Sequence, residues 1–397
     1  MKVLLLENIH PIARDLFLKD GFQVDLVKGA LTEDELIQKL PGYDVLGIRS
    51  KTYLTPKVFD AVKSVTTVGC FCVGTNQVDL HSAREHGVVV FNAPFSNTRS
   101  VAEMVISEIV MLSRKLGTRN NEMHQGIWNK SSNQCFEVRG KTLGIIGYGN
   151  IGTQVSMLAE ALGMRVVFYD IISKLPLGNA KPLSTLEELL SGSDFVTIHV
   201  PATEGTRNLI GESELKQMRP GSYLINNARG DVVDLAALEF AIKSKHLAGC
   251  ALDVYPEEPE TNIPNFLSPM KGLENVILTP HIGGATEEAQ VNIGREVAST
   301  LVRFMKTGST LHAVNFPQVD IPFTRSTRLS NVHKNVKGVL KDINRILTEF
   351  GANIQAQSLH TDSELGYLVV DLNQPITDDL INSIQALKTS VRTRRVI

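Results

Sequence analysis

The stretch Leu143-Gly144-Ile145-Ile146-Gly147-Tyr148-Gly149-Asn150-Ile151-Gly152 ends a short apolar run and leads into a helical pattern at Thr153, and its last three glycines are spaced G-x-G-x-x-G. Each has a task in a strand-to-helix turn: Gly147 allows the tight bend, Gly149 lets the backbone approach a pyrophosphate, and Gly152 permits close helix-to-strand packing. Asn150 and Ile151 offer their amides at the helix N-terminus, where an anion is favoured. The next apolar run ends at Asp170, eighteen residues past Gly152, where an acid receives the adenosine ribose hydroxyls. Asp170 also repels a 2′-phosphate, and Ile171-Ile172 supplies no arginine to hold one. The cofactor read from these residues is therefore NAD rather than NADP.

Outward from this motif, apolar runs predict strands at Leu143 to Ile146, Val166 to Tyr169, Phe195 to His199, Ser222 to Asn226, Gly249 to Asp253 and Val276 to Leu278. These six strands make a complete Rossmann-type sheet. Upstream, Val3 to Leu6, Gln23 to Val27, Val45 to Ile48, Thr67 to Cys70 and Val88 to Phe91 alternate with helical patterns in the same α/β rhythm. Thr32 with Glu35, and Ser184 with Glu187, are spaced as capping boxes at helix starts. Helices are expected from Thr98 to about Leu116 and from Thr286 to about Met305. Beyond a Pro-containing stretch the order is strand, helix, strand, strand, helix, strand: Arg328 to His333, Val336 to Phe350, Ile354 to Thr361, Leu365 to Leu372, Thr377 to Leu387 and Val391 to Ile397. The expected organisation is a discontinuous flavodoxin-like domain (1–96 plus 284–318), a Rossmann-type NAD-binding domain (97–283), a linker (319–327) and a ferredoxin-like domain (328–397).

Over 397 residues the formal net charge is only -2, with no long Lys/Arg run, which argues against nucleic acid or an anionic membrane surface as the main partner. Small molecules become the expected ligands. No apolar run has membrane-spanning length, and Met1 to Glu7 reads as a strand, so no secretory signal is expected. Cys70, Cys72, Cys135 and Cys250 are too few and scattered for a disulfide scaffold or a four-cysteine zinc site. No metal is expected, and a reducing cytoplasm fits best.

Three segments carry a resemblance: Asn226-Asn227-Ala228-Arg229-Gly230, Pro256-Glu257-Glu258-Pro259 and Thr279-Pro280-His281-Ile282-Gly283-Gly284 are similar to signatures of the D-2-hydroxyacid dehydrogenase family. The resemblance implies Arg229, Glu258 and His281 as catalytic residues. Hydride transfer at a hydroxyl carbon requires a proton to move at oxygen, and histidine titrates in the right range for that work. Glu258, matching the family's Glu-Pro step better than Glu257, would orient the ring and favour imidazolium. Arg229 would pair with the substrate carboxylate and polarise the carbonyl oxygen. The same segments place Asn227, Ala228, Arg229, His281, Gly283 and Gly284 beside the cofactor. Asp253 resembles the residue that meets the nicotinamide carboxamide, and His199 in His199-Val200-Pro201 reads as structural.

The likeness covers nearly the whole chain, and in the first domain Arg49-Ser50-Lys51-Thr52 and the segments Gly69 to Asp79 and Asn92 to Glu103 resemble the bacterial phosphoglycerate-oxidising branch. That implies oxidation of 3-phospho-D-glycerate with NAD as the committing step towards serine, with 2-oxoglutarate reduction as a side activity. Arg49, Ser50, Lys51, Asn97 and Lys130 would hold the substrate, and Lys51 stands where arginine is commoner in the family. The last domain resembles an ACT module, implying L-serine as effector at His333, Asn335 and Asn353, although His333 to Val339 lacks the usual proline. A homotetramer is implied, with Trp128 either inserting into a partner or packing locally. Arg392, Arg394 and Arg395 read as a solvated strand face. Two other readings stay open: a non-catalytic NAD-sensing binding protein, and a dehydrogenase of an unphosphorylated hydroxy acid.

Overall fold

The computed structural model describes residues 1–259, 263–324 and 327–396. Residues 260–262 of the expected NAD-binding domain, 325–326 of the expected linker and Ile397 of the last predicted strand lie outside the described residues. The chain divides into two compact units, Met1–Ser96 with Gln290–Ile397, and Asn97–Ala289.

The first unit begins β1 (Lys2–Leu5), α1 (Pro11–Lys19), β2 (Gln23–Leu26), α2 (Glu33–Lys39), β3 (Val45–Ile48), α3 (Pro56–Ala61), β4 (Thr67–Cys70), α4 (Leu80–Glu85), β5 (Val89–Phe91). The five strands form a parallel sheet in the order β2-β1-β3-β4-β5. Its inner strands are buried on both faces, which explains their unbroken apolar runs. Thr32 forms the expected capping box with Glu35 at the start of α2.

In the second unit, α5 (Thr98–Arg114) and α6 (Leu116–His124) precede β6 (Thr142–Ile146), α7 (Asn150–Ala161), β7 (Arg165–Tyr169), β8 (Lys181–Pro182), α8 (Leu186–Gly192), β9 (Phe195–Ile198), α9 (Glu212–Gln217), β10 (Tyr223–Asn226), α10 (Leu235–Lys243), β11 (Gly249–Leu252) and β12 (Val276–Leu278). The seven strands run β12-β11-β10-β9-β6-β7-β8, one more than expected, because the short β8 adds to the outer edge. The helix expected to reach Leu116 breaks at Lys115, whose backbone is left-handed at φ 51°. At α8 the cap is shifted by one residue: Thr185 accepts from the Glu188 N–H, and Glu188 accepts from Ser184 N–H.

The chain continues through α11 (Glu287–Thr307) into β13 (Thr327–Lys334), α12 (Val339–Glu349), β14 (Ile354–Thr361), β15 (Leu365–Leu372), α13 (Asp378–Gln385) and β16 (Ser390–Val396). These strands form an antiparallel sheet in the order β14-β15-β13-β16. α12 starts three residues later than expected, after Gly338 at φ 94°. One face of this sheet packs Leu329, Leu368 and Val370 against α12 and α13. On the other face Val332, Tyr367 and Val369 share a core with Phe304, Met305 and Phe316, and Val319 and Ile321 are buried in the same cluster. The buried Arg328 grips Asp371 through two nitrogens, at 2.5 and 2.8 Å.

The C-terminal arginines depart from the solvated face expected of them. The Arg392 guanidinium donates to the Lys63 and Val65 carbonyls, and Arg394 lies 4.3 Å from the Phe304 ring centroid while donating to that residue's carbonyl. Burial lowers the pKa of both side chains. Alternation of charge along a strand describes that strand alone; here another part of the same unit covers the face. Only Arg395 stays exposed.

Candidate active site

The glycine turn joins β6 to α7 as its spacing requires. Gly147 has φ +90°, and a Cβ there would lie 2.6 Å from the His199 carbonyl oxygen; a Cβ on Gly152 would lie 2.3 Å from the Gly147 oxygen. Gly149 differs, since nothing stands within 4 Å of its missing Cβ, and as N-cap of α7 it supplies no side-chain acceptor. The turn is thus closed by protein at two glycines and open at the one facing the helix N-terminus, beside the amides of Asn150 and Ile151. This is the shape a pyrophosphate needs. Asp170 follows β7, and its carboxylate accepts from the Tyr148 and Ile172 N–H groups at 2.8 and 2.9 Å, which fixes it beside the turn. These residues fit NAD.

Across the sheet, β10 and β11 end in the two loops that carry Arg229 and Glu258, while the segment after β12 carries His281. Asn226 shapes the first: its Nδ2 donates to the Arg229 carbonyl and its Oδ1 accepts from the Ala228 N–H. Gly230 then passes so close to the next loop that a Cβ would sit 1.9 Å from the Tyr255 carbonyl carbon. Only glycine allows this approach. In the second loop Glu258 accepts from the Tyr255 N–H at 3.0 Å, and its other oxygen meets His281 Nδ1 at 2.6 Å. Glu258 thus engages Nδ1 and not Nε2.

The third segment is held by Asp253, which is 1% exposed. Its carboxylate accepts from the Thr279 hydroxyl and from the Ile282 and Gly283 N–H groups, at 2.6, 2.8 and 2.7 Å. The Tyr255 hydroxyl adds a bond to the Thr279 carbonyl. His281 is pinned between these anchors in a left-handed conformation, φ 54°. The geometry gives Asp253 an anchoring task that its sequence context did not suggest.

The hydrogen bond that His281 donates to Glu258 raises its pKa above the ordinary value, against the opposing effect of burial. Burial also works against the Glu258 charge, but the bonds from His281 and Tyr255 outweigh it and hold that carboxyl below its usual range. The Arg229 charge acts electrostatically on both. Among the described residues no group of three or more His, Cys, Asp or Glu could hold a metal.

Asn227, Ala228, Gly283 and Gly284 flank these residues on the same loops. Asn97, at the head of α5, approaches Gly284, where a Cβ would lie 2.6 Å from its Nδ2. Lys130 is exposed and, with Trp128 at 78% exposure, lies in the segment between α6 and β6; Trp128 has no local core around it. Arg49, Ser50 and Lys51 belong to the first unit, on a loop after β3 organised by the buried Glu7, which accepts from the backbone N–H groups of Arg49, Lys51 and Thr52. In the C-terminal sheet His333 is 3% exposed and bonded to Asn331, whereas Asn335 and Asn353 are exposed. His199 is half-buried, and desolvation of its ring pushes the pKa down to about 3, consistent with a structural role. Sequence reasoning missed Glu7, Asn226 and Tyr255, and also Glu108, whose signal is a carboxylate on the apolar stripe Val101, Val105, Ile109, Leu112 of α5.

Residues 106–283 match the family model of the D-isomer specific 2-hydroxyacid dehydrogenase NAD binding domain. A relative named D-3-phosphoglycerate dehydrogenase in Dictyostelium discoideum is 51% identical over 395 residues, covering 99% of this chain and 97% of its own. The chain belongs to the D-isomer specific 2-hydroxyacid dehydrogenase family. A D-3-phosphoglycerate dehydrogenase of Escherichia coli (strain K12) is 48% identical over 397 residues, again covering 99% of this chain and 97% of its own. Among solved structures, the NAD-dependent formate dehydrogenase of Staphylococcus aureus in complex with NAD is 31% identical. It has a TM-score of 0.66 and covers 77% of this chain and 95% of its own. As a member of the 2-hydroxyacid dehydrogenase family, the chain is an NAD-dependent dehydrogenase. No helix among the described residues is long and apolar enough to cross a membrane.

Proposed function

We propose that this dehydrogenase oxidises the C2 hydroxyl of 3-phospho-D-glycerate to 3-phosphohydroxypyruvate, the first committed step towards L-serine. The observation that carries the reading is the 2.6 Å contact between His281 and Glu258 within electrostatic reach of Arg229. The amides of Asn150 and Ile151 would hold the NAD pyrophosphate and Asp170 the adenosine ribose, with Ala228, Asp253 and Gly283 beside the nicotinamide. When bound, NAD supplies the acceptor for the C2 hydride. His281 Nε2 takes the hydroxyl proton as that hydride leaves, and Glu258 stabilises the resulting imidazolium and keeps the ring in place. Arg229 binds the C1 carboxylate through its planar fork and draws electron density towards the C2 oxygen.

The substrate phosphate is assigned to Arg49 and Lys51, with Ser50, Asn97 and Lys130 as further contacts. The Arg49→Ala, Lys51→Ala double variant should raise KM for 3-phosphoglycerate roughly 10- to 100-fold, while reduction of 2-oxoglutarate changes little. Steady-state kinetics on both substrates provide the test. Equal losses on the two would remove the phosphate assignment.

The C-terminal sheet with its two helices is proposed to be an ACT regulatory domain of a homotetramer, with L-serine assigned to His333, Asn335 and Asn353. An effector acts only through differential affinity for active and less active states. Deleting this domain would bare Phe304, Met305 and Phe316, so point variants make the sharper test. Asn335→Ala and Asn353→Ala should each shift the half-inhibiting serine concentration upward about tenfold with uninhibited kcat unchanged. A serine titration reads this, and an unshifted midpoint in both variants would place the effector elsewhere.

A further inference from the structure

Glu108 sits on the buried face of α5, 2% exposed, and its Oε2 accepts a 2.9 Å hydrogen bond from Asn227 Nδ2. Asn227 is itself buried and immediately precedes Ala228 and Arg229. One atom is left over on each side chain: Glu108 Oε1 and Asn227 Oδ1 are both buried, and neither has a hydrogen-bond partner among the described residues. Two orphaned acceptors on one pair of planar end groups are costly if Glu108 is ionised. A proton on Oε1 removes the cost. The acid then donates to Asn227 Oδ1 while the amide donates to Oε2, closing a two-bond acid-amide ring that leaves neither group unpaired.

We infer that Glu108 works as a neutral carboxylic acid, a positioning residue that locks the Asn227 side chain and through it the turn carrying Arg229; this rests on the proposed role of Arg229. Charge around Glu108 supports the neutral form. The elements packed on α5 are α6, α7, β10, β11 and β12. Their titratable side chains are Arg119, Glu122 and His124 of α6, Glu160 of α7, Tyr223 of β10 and Cys250 of β11, with Asp253 following β11; β12 has none. Only Asp253 acts appreciably on Glu108, and it repels a second negative charge. Burial, with that repulsion, pushes the Glu108 carboxyl up to about 8, even though the Asn227 bond works the other way. The Asp253 carboxylate accepts from three donors, whereas Glu108 accepts from Asn227 alone.

The test compares the full-length enzyme with Glu108→Gln and Glu108→Ala. Glutamine can form the same two-bond ring with Asn227 without a titrating proton, whereas alanine forms none. The expected result is that kcat/KM falls roughly tenfold in Glu108→Ala and returns to within about threefold of wild type in Glu108→Gln. Infrared difference spectra should show a protonated-carboxyl C=O band in the wild type at neutral pH. That band should fade as pH rises through about 8 and be missing from Glu108→Gln. A Gln variant as impaired as the Ala variant, or a wild-type spectrum with no such band at neutral pH, overturns the inference. The spectrum depends on neither catalysis nor the Ala variant's folding. Full activity of Arg229→Ala would instead remove the catalytic reading and leave the protonation result standing.

Discussion

Replacing His281 with alanine should lower kcat by roughly 10² to 10⁴-fold, the usual contribution of a positioned acid/base, while the Kd for NADH stays near that of the wild type. The imidazole is held by Glu258 at 2.6 Å and its backbone by the Asp253 anchors, so the substitution removes the proton acceptor without releasing the loop. The pH dependence follows from the direction of the shift. Oxidation needs neutral His281, and the Glu258 hydrogen bond raises its pKa, so the rate should climb with pH through that raised value. Glu258→Gln should move the rising limb to lower pH. For stability the sign is opposite: the gain from protonated His281 is present below the ordinary histidine value and is lost as pH rises through the raised one. Stopped-flow NADH formation measured against pH in the three proteins reads the effect on activity. Near-normal turnover in His281→Ala would remove its role.

Arg229→Ala should reduce kcat/KM roughly 10² to 10³-fold in either direction, the scale of losing one donor to a developing oxyanion. The loss should not be recovered by lysine, since a point charge cannot span a carboxylate as a planar fork does. Arg229 sits half-buried on a turn fixed by Asn226 and by the close passage of Gly230 against Tyr255, to which its guanidinium adds one bond, to the Ala228 carbonyl. Thermal unfolding should therefore change little while turnover collapses, and equilibrium binding of NADH should persist. A matching fall in Tm would indicate a structural arginine.

Much of this architecture was legible because parallel strands buried on both faces appear as unbroken apolar runs, as in Val45–Ile48 and Thr67–Cys70. The two-residue β8 left no such signal, being exposed and containing a proline. Lys115 could not be picked out as a break because lysine is a good helix former, yet it caps the helix at φ 51°. At α8, Ser184 with Glu187 and Thr185 with Glu188 are equivalent capping pairs on paper, and geometry chose the second. Residue types and flanking segments could nominate Arg229, Glu258 and His281, but their convergence depends on where β10, β11 and β12 end. Glu108 was overlooked because a carboxylate within a helix is normally assigned to the solvated side, and its partner Asn227 lies 119 residues away. The same limit applied to Arg392 and Arg394, whose burial comes from residues distant in sequence.

The central assignment is best tested by measuring NADH formation by the purified full-length protein across a panel of D-2-hydroxy acids that includes 3-phosphoglycerate, D-glycerate, D-lactate and D-2-hydroxyglutarate. The expected result is NAD-dependent turnover with the highest kcat/KM on 3-phosphoglycerate, and a much weaker rate with D-glycerate, which lacks only the phosphate. A clear preference for an unphosphorylated acid, or no NADH formation with any member of the panel, would contradict it.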